Sequence, residues 1–222
     1  MGLSGQSADV RTIWNSRYIT SNPSKRLEKM ARPREFDETD VLNKAMMVFW
    51  QKGYEGASIF DLMAATGLTK SSIYKAFDSK EHLFWRANEL YKKDHLGFIE
   101  DALKLSKPRE IAMAMLIGEA DMHTNPRHPP GCFETNGALA CSDDTQELQR
   151  ALVESRFNFQ RRLAKAFRRA SENGPLLPNA SPEEAASFVF TLIQGMAVQS
   201  KAGLSREELH KFVSLTMMAW PE

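Results

Sequence analysis

The stretch from Ser58 to Phe77, SIFDLMAATGLTKSSIYKAF, constrains this chain more than any other. Its pattern predicts two short helices joined by a tight turn. Ser58 suits the N-cap of the first helix, with Asp61 three positions on to complete a capping-box start. Ile59, Leu62 and Met63 fall at helical spacing and form one apolar stripe. Gly67 ends that helix, because glycine accepts the left-handed backbone a C-cap needs. Thr69 caps the second helix, in which Ile73 and Phe77 share one face. The opposite face carries Lys70, Ser71, Tyr74 and Lys75, with no acid among them. A short helix that buries one side and offers donors on the other meets the requirements of a recognition helix in a DNA major groove. A helical hairpin with a solvated face has the same pattern, so this stretch alone leaves both readings open.

Size and composition narrow the choice. A chain of 222 residues, 42% hydrophobic and 26% charged, can bury a substantial core as one domain or two small ones. The net charge of +1 means that DNA binding must come from locally placed basic groups, not from bulk charge. No apolar run is long enough to span a bilayer, and the start of the chain lacks the apolar core of a secretory signal. Two cysteines do not make a disulfide framework, which points to a reducing cytoplasm.

Glycine, serine, asparagine and proline break any apolar period before Lys29, so a disordered extension is expected over residues 1–30. Met30 opens MARPREFDE. Arg32 and Arg34 form a basic approach to the first helix, either a solvated tail or an arm that contacts phosphate. The first helix is expected from Asp37 or Thr39 to Lys52, with Leu42, Ala45, Met46 and Phe49 buried and Gly53 as its cap. Tyr54 follows, either packed or with its hydroxyl on a phosphate. A fourth helix is expected from Ser79 to about Lys104. Pro108 starts a fifth, apolar on more than one side. Gly131 to Cys141 reads as a short small-residue segment. Asp143 or Asp144 is expected to cap a long basic helix reaching about Glu172, its arginines solvated or ion-paired. Ser181-Pro182-Glu183-Glu184 and Ser205 with Glu208 start two last amphipathic helices. These two could finish a monomer core or form half of a four-helix dimer interface.

From Arg32 to about Tyr91 the chain resembles the N-terminal domain of TetR/AcrR-family transcription regulators. The residues that carry the likeness are Ala45, Phe49 and Gly53-Tyr54, then Ser58, Ile59, Leu62 and Ala65-Thr66-Gly67. Leu68 to Phe77 and Ser79-Lys80-Glu81-His82-Leu83-Phe84 complete it. The ordered set is specific; the C-terminal half resembles the family only weakly. The resemblance implies an all-α fold. A three-helix helix-turn-helix DNA-binding domain would occupy residues 31–80, and a helical effector-binding and dimerisation domain residues 81–222. It implies a homodimer that binds a double-stranded operator, an inverted repeat, and most often represses. Two readers related by a two-fold axis also make physical sense, since one short helix discriminates little. By residue type, Thr69, Ser71 and Ser72 can bond phosphate or base edges, Lys70, Lys75 and Lys80 supply charge, Tyr74 can reach a phosphate or a thymine methyl, and Ser58 suits a phosphate.

The remaining chemistry is sparse. Cys132 and Cys141 either pack as small hydrophobes or sense an effector. The order Gly131-Cys132-Phe133 followed by a second cysteine resembles a subset of TetR regulators that respond to electrophiles or oxidants. In that subset a lysine near the thiol matches Lys201, whose ammonium would lower the thiol pKa. A reversible small-molecule effector would instead find its cavity among Met113, Ile117, Phe133, Phe157, Phe188, Leu192 and Met196, each equally at home in a core. No enzyme is expected. His123 and His128 are five apart among prolines, a spacing unsuited to helical metal ligation, and Cys132 with His128 lacks an orienting third group. No metal or cofactor is implied. The rival to a regulator is a helical protein-interaction module that keeps the fold but not DNA binding.

Overall fold

Capping chemistry and apolar spacing set where the helices begin and which face they bury. The structure, a computed structural model, describes residues 36–138 and 145–221. The extension over residues 1–30, Arg32, Arg34, Cys141 and the acids at 143 and 144 lie outside the described residues. Helix α1 (Glu38–Gly56) starts where Asp37 Oδ1 accepts the Thr39 N–H at 2.8 Å. It buries Val41, Leu42, Ala45, Met46, Phe49 and Trp50. The helix-turn-helix follows as α2 (Ile59–Thr66) and α3 (Lys70–Phe77), and α4 (Lys80–His95) leads out of it.

Four boundaries differ from the sequence reading, the first two because of contacts with distant residues. Gly53 does not end α1; it sits inside as a kink with φ 72°, and a further turn runs to Gly56. The kink lets Asn136 approach: a Cβ at position 53 would lie 2.8 Å from its carbonyl oxygen. The expected helix to Lys104 breaks at Leu96 into α4 and α5 (Gly97–Ala102). The bend brings Phe98 onto Gly118, where a Cβ would meet the ring at 2.3 Å. Gly118 belongs to α6 (Pro108–His123), which starts on its proline. The small-residue segment after Gly131 is helical, as α7 (Phe133–Ala138). The long helix α8 (Gln146–Ala170) follows Thr145 without a side-chain cap and stops before Glu172.

The last helices, α9 (Pro182–Lys201) and α10 (Arg206–Met217), both open on complete capping boxes, from Ser181 and Ser205. The arginines of α8 are largely tied: Arg162 to Glu100, Arg168 to Glu183, Arg161 to Glu154, and Arg169 to the carbonyls of Leu103 and Leu105.

Two apolar cores result. The first joins α1–α4 to Met122, Phe133, Leu148 and Leu152. Phe84 is its hub, edge-on to Phe49 with centroids 5.2 Å apart and stacked on Phe133 at 5.0 Å. The second is built from α5, α6, α8, α9 and α10 around Leu116, Phe167, Ile193 and Trp220. Among the described residues no helix is long and apolar enough to cross a membrane. Replacing Gly53 with alanine adds a strained left-handed residue and a clash with Asn136, so Gly53→Ala should lower the unfolding free energy by about 2 kcal/mol. Denaturant titration by circular dichroism reads this directly.

Candidate nucleic-acid interface

The two-helix motif is held by its caps. Ser58 Oγ accepts the Asp61 N–H at 3.1 Å, and Asp61 Oδ2 accepts the Ser58 N–H at 2.9 Å. Lys52 Nζ reaches Asp61 at 2.5 Å. The bonds from Lys52 and Ser58 hold the Asp61 carboxyl down at about 2, so it stays ionised and its charge is compensated. The turn passes through Gly67 at φ 73°, whose N–H returns to Met63 O at 2.9 Å. Thr69 Oγ1 then accepts the Ser72 N–H at 3.2 Å and lies 3.0 Å from Ser71 Oγ and 2.9 Å from Ser72 Oγ. Asp78, at φ 60°, ends α3.

Ile73 and Phe77 are fully buried, which fixes the roll of α3. Lys70, Ser71 and Lys75 are exposed on its outer side, and Ser72 and Tyr74 are half-buried. Lys70 Nζ stands 5.8 Å from the centre of the Tyr74 ring. Thr69 and Ser58 are exposed at the two helix starts, with their hydroxyls committed to capping. Two other expected DNA contacts are placed differently. Tyr54 is buried in the first core, with Phe84 edge-on at 5.3 Å, and burial, then Glu81, push its phenol up to about 12. Lys80 folds back over that ring at 4.3 Å, and burial lowers its pKa. Tyr54 thus takes the packed alternative, with Lys80 against its ring. A residue not singled out from the sequence, Phe60, stands 75% exposed on α2. The only signal for it was its phase, one residue off the Ile59, Leu62 and Met63 stripe.

The thiol expected to sense an effector sits between α6 and α7. Tyr91 Oη donates to Cys132 Sγ at 3.6 Å and to Met122 Sδ at 3.8 Å. Burial pushes the Cys132 thiol up, and the carboxyls of Glu119 and Glu134 add to this. The sequence reading expected the reverse, a thiol lowered by Lys201. Lys201 Nζ instead donates to Gln51 O at 3.5 Å, across to α1. Behind the thiol lies a buried pair that the sequence reading missed: Glu119 Oε2 is 3.2 Å from His123 Nε2. Burial raises the Glu119 carboxyl to about 8 and lowers the His123 imidazole to about 3. Both are neutral at pH 7.

The seven residues suggested for a ligand cavity are scattered. Met113, Phe157 and Phe188 are exposed, Ile117 and Leu192 are half-buried, and Phe133 and Met196 belong to different cores. Phe188 also borders a shallow surface depression with Leu177, Pro178, Asn179, Ala180, Glu184 and Ala219. Helical phase accounts for the scatter: these apolar side chains leave their helices in several directions.

Known proteins match both halves of the chain. The profile of bacterial regulatory proteins of the tetR family matches residues 41–87, and that of the tetracyclin repressor-like C-terminal domain matches residues 113–215. The HTH-type transcriptional repressor ComR of Escherichia coli (strain K12) is 31% identical over 194 residues, covering 86% of this chain and 92% of its own. A cysteine-substituted TetR family transcriptional regulator CifR was solved with a 26-bp double-strand operator DNA. It superposes at a TM-score of 0.80 with 34% identity, over 86% of this chain and 100% of its own. The reduced form of E. coli NemR shares the fold at a TM-score of 0.64 and 20% identity, over 82% of this chain and 97% of its own.

The buried pair makes stability depend on pH. The folded state keeps the Glu119 proton up to about 8, whereas the carboxyl ordinarily releases it near 4.5. Stability from this group is therefore complete at low pH and is lost as pH rises through that window. His123 acts below its ordinary 6.5, in the opposite direction. Between pH 6.5 and 8 only Glu119 of the pair contributes. The unfolding free energy from urea titrations should fall across that interval, by at most about 1.4 kcal/mol per pH unit, and Glu119→Gln should flatten the fall.

Proposed function

The chain belongs to the TetR family of bacterial regulatory proteins, and on that premise we propose that it is a homodimeric repressor released from operator DNA by an effector. The observation that carries the reading is the outer face of α3. It presents Lys70, Ser71, Tyr74 and Lys75 without an acid, on a helix whose roll is fixed by buried Ile73 and Phe77. Such a face offers charge to phosphates and donors to base edges. Ser58 and Thr69 lie at helix starts that suit phosphate. Arg32 and Arg34 would extend the contact as an arm. Residues 31–80 act as the reader and residues 81–222 as the effector and dimerisation part, with residues 1–30 an extension, in the cytoplasm. ComR bears the name of a repressor, and CifR was solved on its operator; both support this reading.

Dimerisation is supported by apolar side chains that α9 and α10 leave exposed. Phe188 and Val198 stand on the first, Phe212 and Leu215 on the second, and Met218 just beyond it. Among the described residues, nothing beyond the glycine's own stretch of helix comes within 4 Å of where a Cβ of Gly195 would stand, so α9 can accept a partner helix there. An inverted repeat is the matching operator.

The effector is a small molecule or an electrophile that reaches Cys132. Cys132 is half-buried, and desolvation together with Glu119 and Glu134 raises the thiol's pKa and keeps it protonated at rest, so alkylation would disturb the groups packed around it. The adjoining backbone grips α1: Trp50 Nε1 donates to Gly131 O at 2.8 Å, and Asn136 Nδ2 donates to Trp50 O at 2.9 Å. A shift of residues 131–136 therefore reaches α1 and the core that seats α3.

Lys70→Ala and Tyr74→Phe should weaken binding to the operator without lowering the melting temperature. Lys70→Ala should also reduce the slope of log K against log salt by about one. Anisotropy titrations at several salt concentrations measure both. Alkylation with N-ethylmaleimide should release wild-type protein from the operator and leave Cys132→Ser bound; equal release of the two removes Cys132 from the mechanism.

A further inference from the structure

We infer that Phe60 is part of the DNA-binding surface and lays its ring against a deoxyribose of the operator backbone. The inference rests on the DNA-binding reading of α3 and deepens it. Phe60 is 75% exposed. The other large apolar side chains left exposed among the described residues lie on α6, α8, α9 or α10, or just past α10, where a second subunit or an effector can cover them. Phe60 stands apart from these, on the first helix of the helix-turn-helix. A phenyl ring held in water is unfavourable, and neither core includes it.

Its direction is fixed by the rest of α2. Leu62 and Thr66 are buried on one side of this short helix, and Phe60 and Ala64, four apart, are exposed on the other. The capping box of Ser58 and Asp61 closes the first turn, so the helix start holds its shape. In helix-turn-helix docking the second helix enters the major groove while the first crosses the sugar–phosphate backbone. That geometry sets the outward side of α2 beside the backbone and makes it continuous with the face of α3.

The local charge fits the same partner. The acid next to Phe60, Asp61, is neutralised by Lys52 at 2.5 Å and takes bonds from both the N–H and the hydroxyl of Ser58. No uncompensated carboxylate within α2 opposes a phosphate there. A phenyl ring is a poor neighbour for a phosphate oxygen, whereas the C–H face of the intervening sugar is apolar. A ring beside a backbone-crossing helix start therefore settles on the sugar. Such a contact adds affinity without releasing counterions and without reading sequence.

The test uses the full chain and two duplexes of equal length. One is selected by the wild-type protein from a random-sequence pool, and the other is unselected. Anisotropy titrations across salt compare wild type, Phe60→Ala and Phe60→Lys. Phe60→Ala should bind both duplexes about tenfold more weakly, with the salt slope of wild type and an unchanged melting temperature. Phe60→Lys should regain affinity with a slope steeper by about one, because its ammonium reaches the phosphate beside the sugar. This second variant keeps the test decisive if the alanine variant unfolds. Wild-type affinity in Phe60→Ala, a loss confined to the selected duplex, or an unchanged slope in Phe60→Lys overturns the inference. If wild type itself binds neither duplex in a salt-dependent way, the DNA-binding reading of α3 fails first, which separates the two failures.

Discussion

The burial of Ile73 and Phe77 on the inner side of α3 gives its outer side a fixed direction. A helix of two turns does not hold together alone in water. Here both apolar residues are fully enclosed, and Thr69 closes the first turn. The core that encloses them is the one centred on Phe84, so α1 and α4 carry the reader as one body. Tyr54 and Lys80 belong to that support. The Lys80 ammonium lies over the Tyr54 ring, and the outer face of α3 carries Lys70, Ser71, Tyr74 and Lys75.

The same core reaches past the reader. Phe133, at the start of α7, stacks on Phe84 and also on Tyr91 at 5.3 Å. Tyr91 in turn touches the Cys132 sulfur. The site proposed for the effector and the seat of α3 are thus one packed assembly, and a change of shape at α7 has a short path to α1. The polar groups in this region are unusually enclosed. Glu134 accepts from Asn88 at 2.9 Å and pairs with Lys92 at 2.7 Å, tying α7 to α4. Glu119 and His123 are buried without charge, which avoids the heavy cost of enclosing ions. A thiol in such surroundings is quiet at rest, so selectivity would come from what can enter and not from high intrinsic reactivity.

The side-chain-capped helix starts were legible in the sequence because they rest on short-range chemistry. Asp37, Ser58, Thr69, Ser79, Ser181 and Ser205 all cap as their residue types and spacings indicate. What the sequence hid depends on distant partners. Gly53 reads as a helix stop until Asn136 arrives beside it, and the run past His95 reads as unbroken until Phe98 is seen to need Gly118. The outer face of α3 followed from periodicity alone. Which of the two alternatives Tyr54 takes, and the raised pKa of the Cys132 thiol, did not, because both are set by residues from other helices. An apolar residue such as Phe60 looks like core in any composition; only its helical phase marks it as outward.

On the proposed function, the outer face of α3 enters the major groove and two copies do so together. Guanine methylation interference on a duplex selected by the wild-type protein tests it most directly, since N7 lies in that groove. Two clusters of interfering guanines are expected in an inverted arrangement, centred about one helical turn or a multiple of it apart, both lost in Lys70→Ala. Interference confined to one cluster, or absent from the major groove while binding persists, contradicts it.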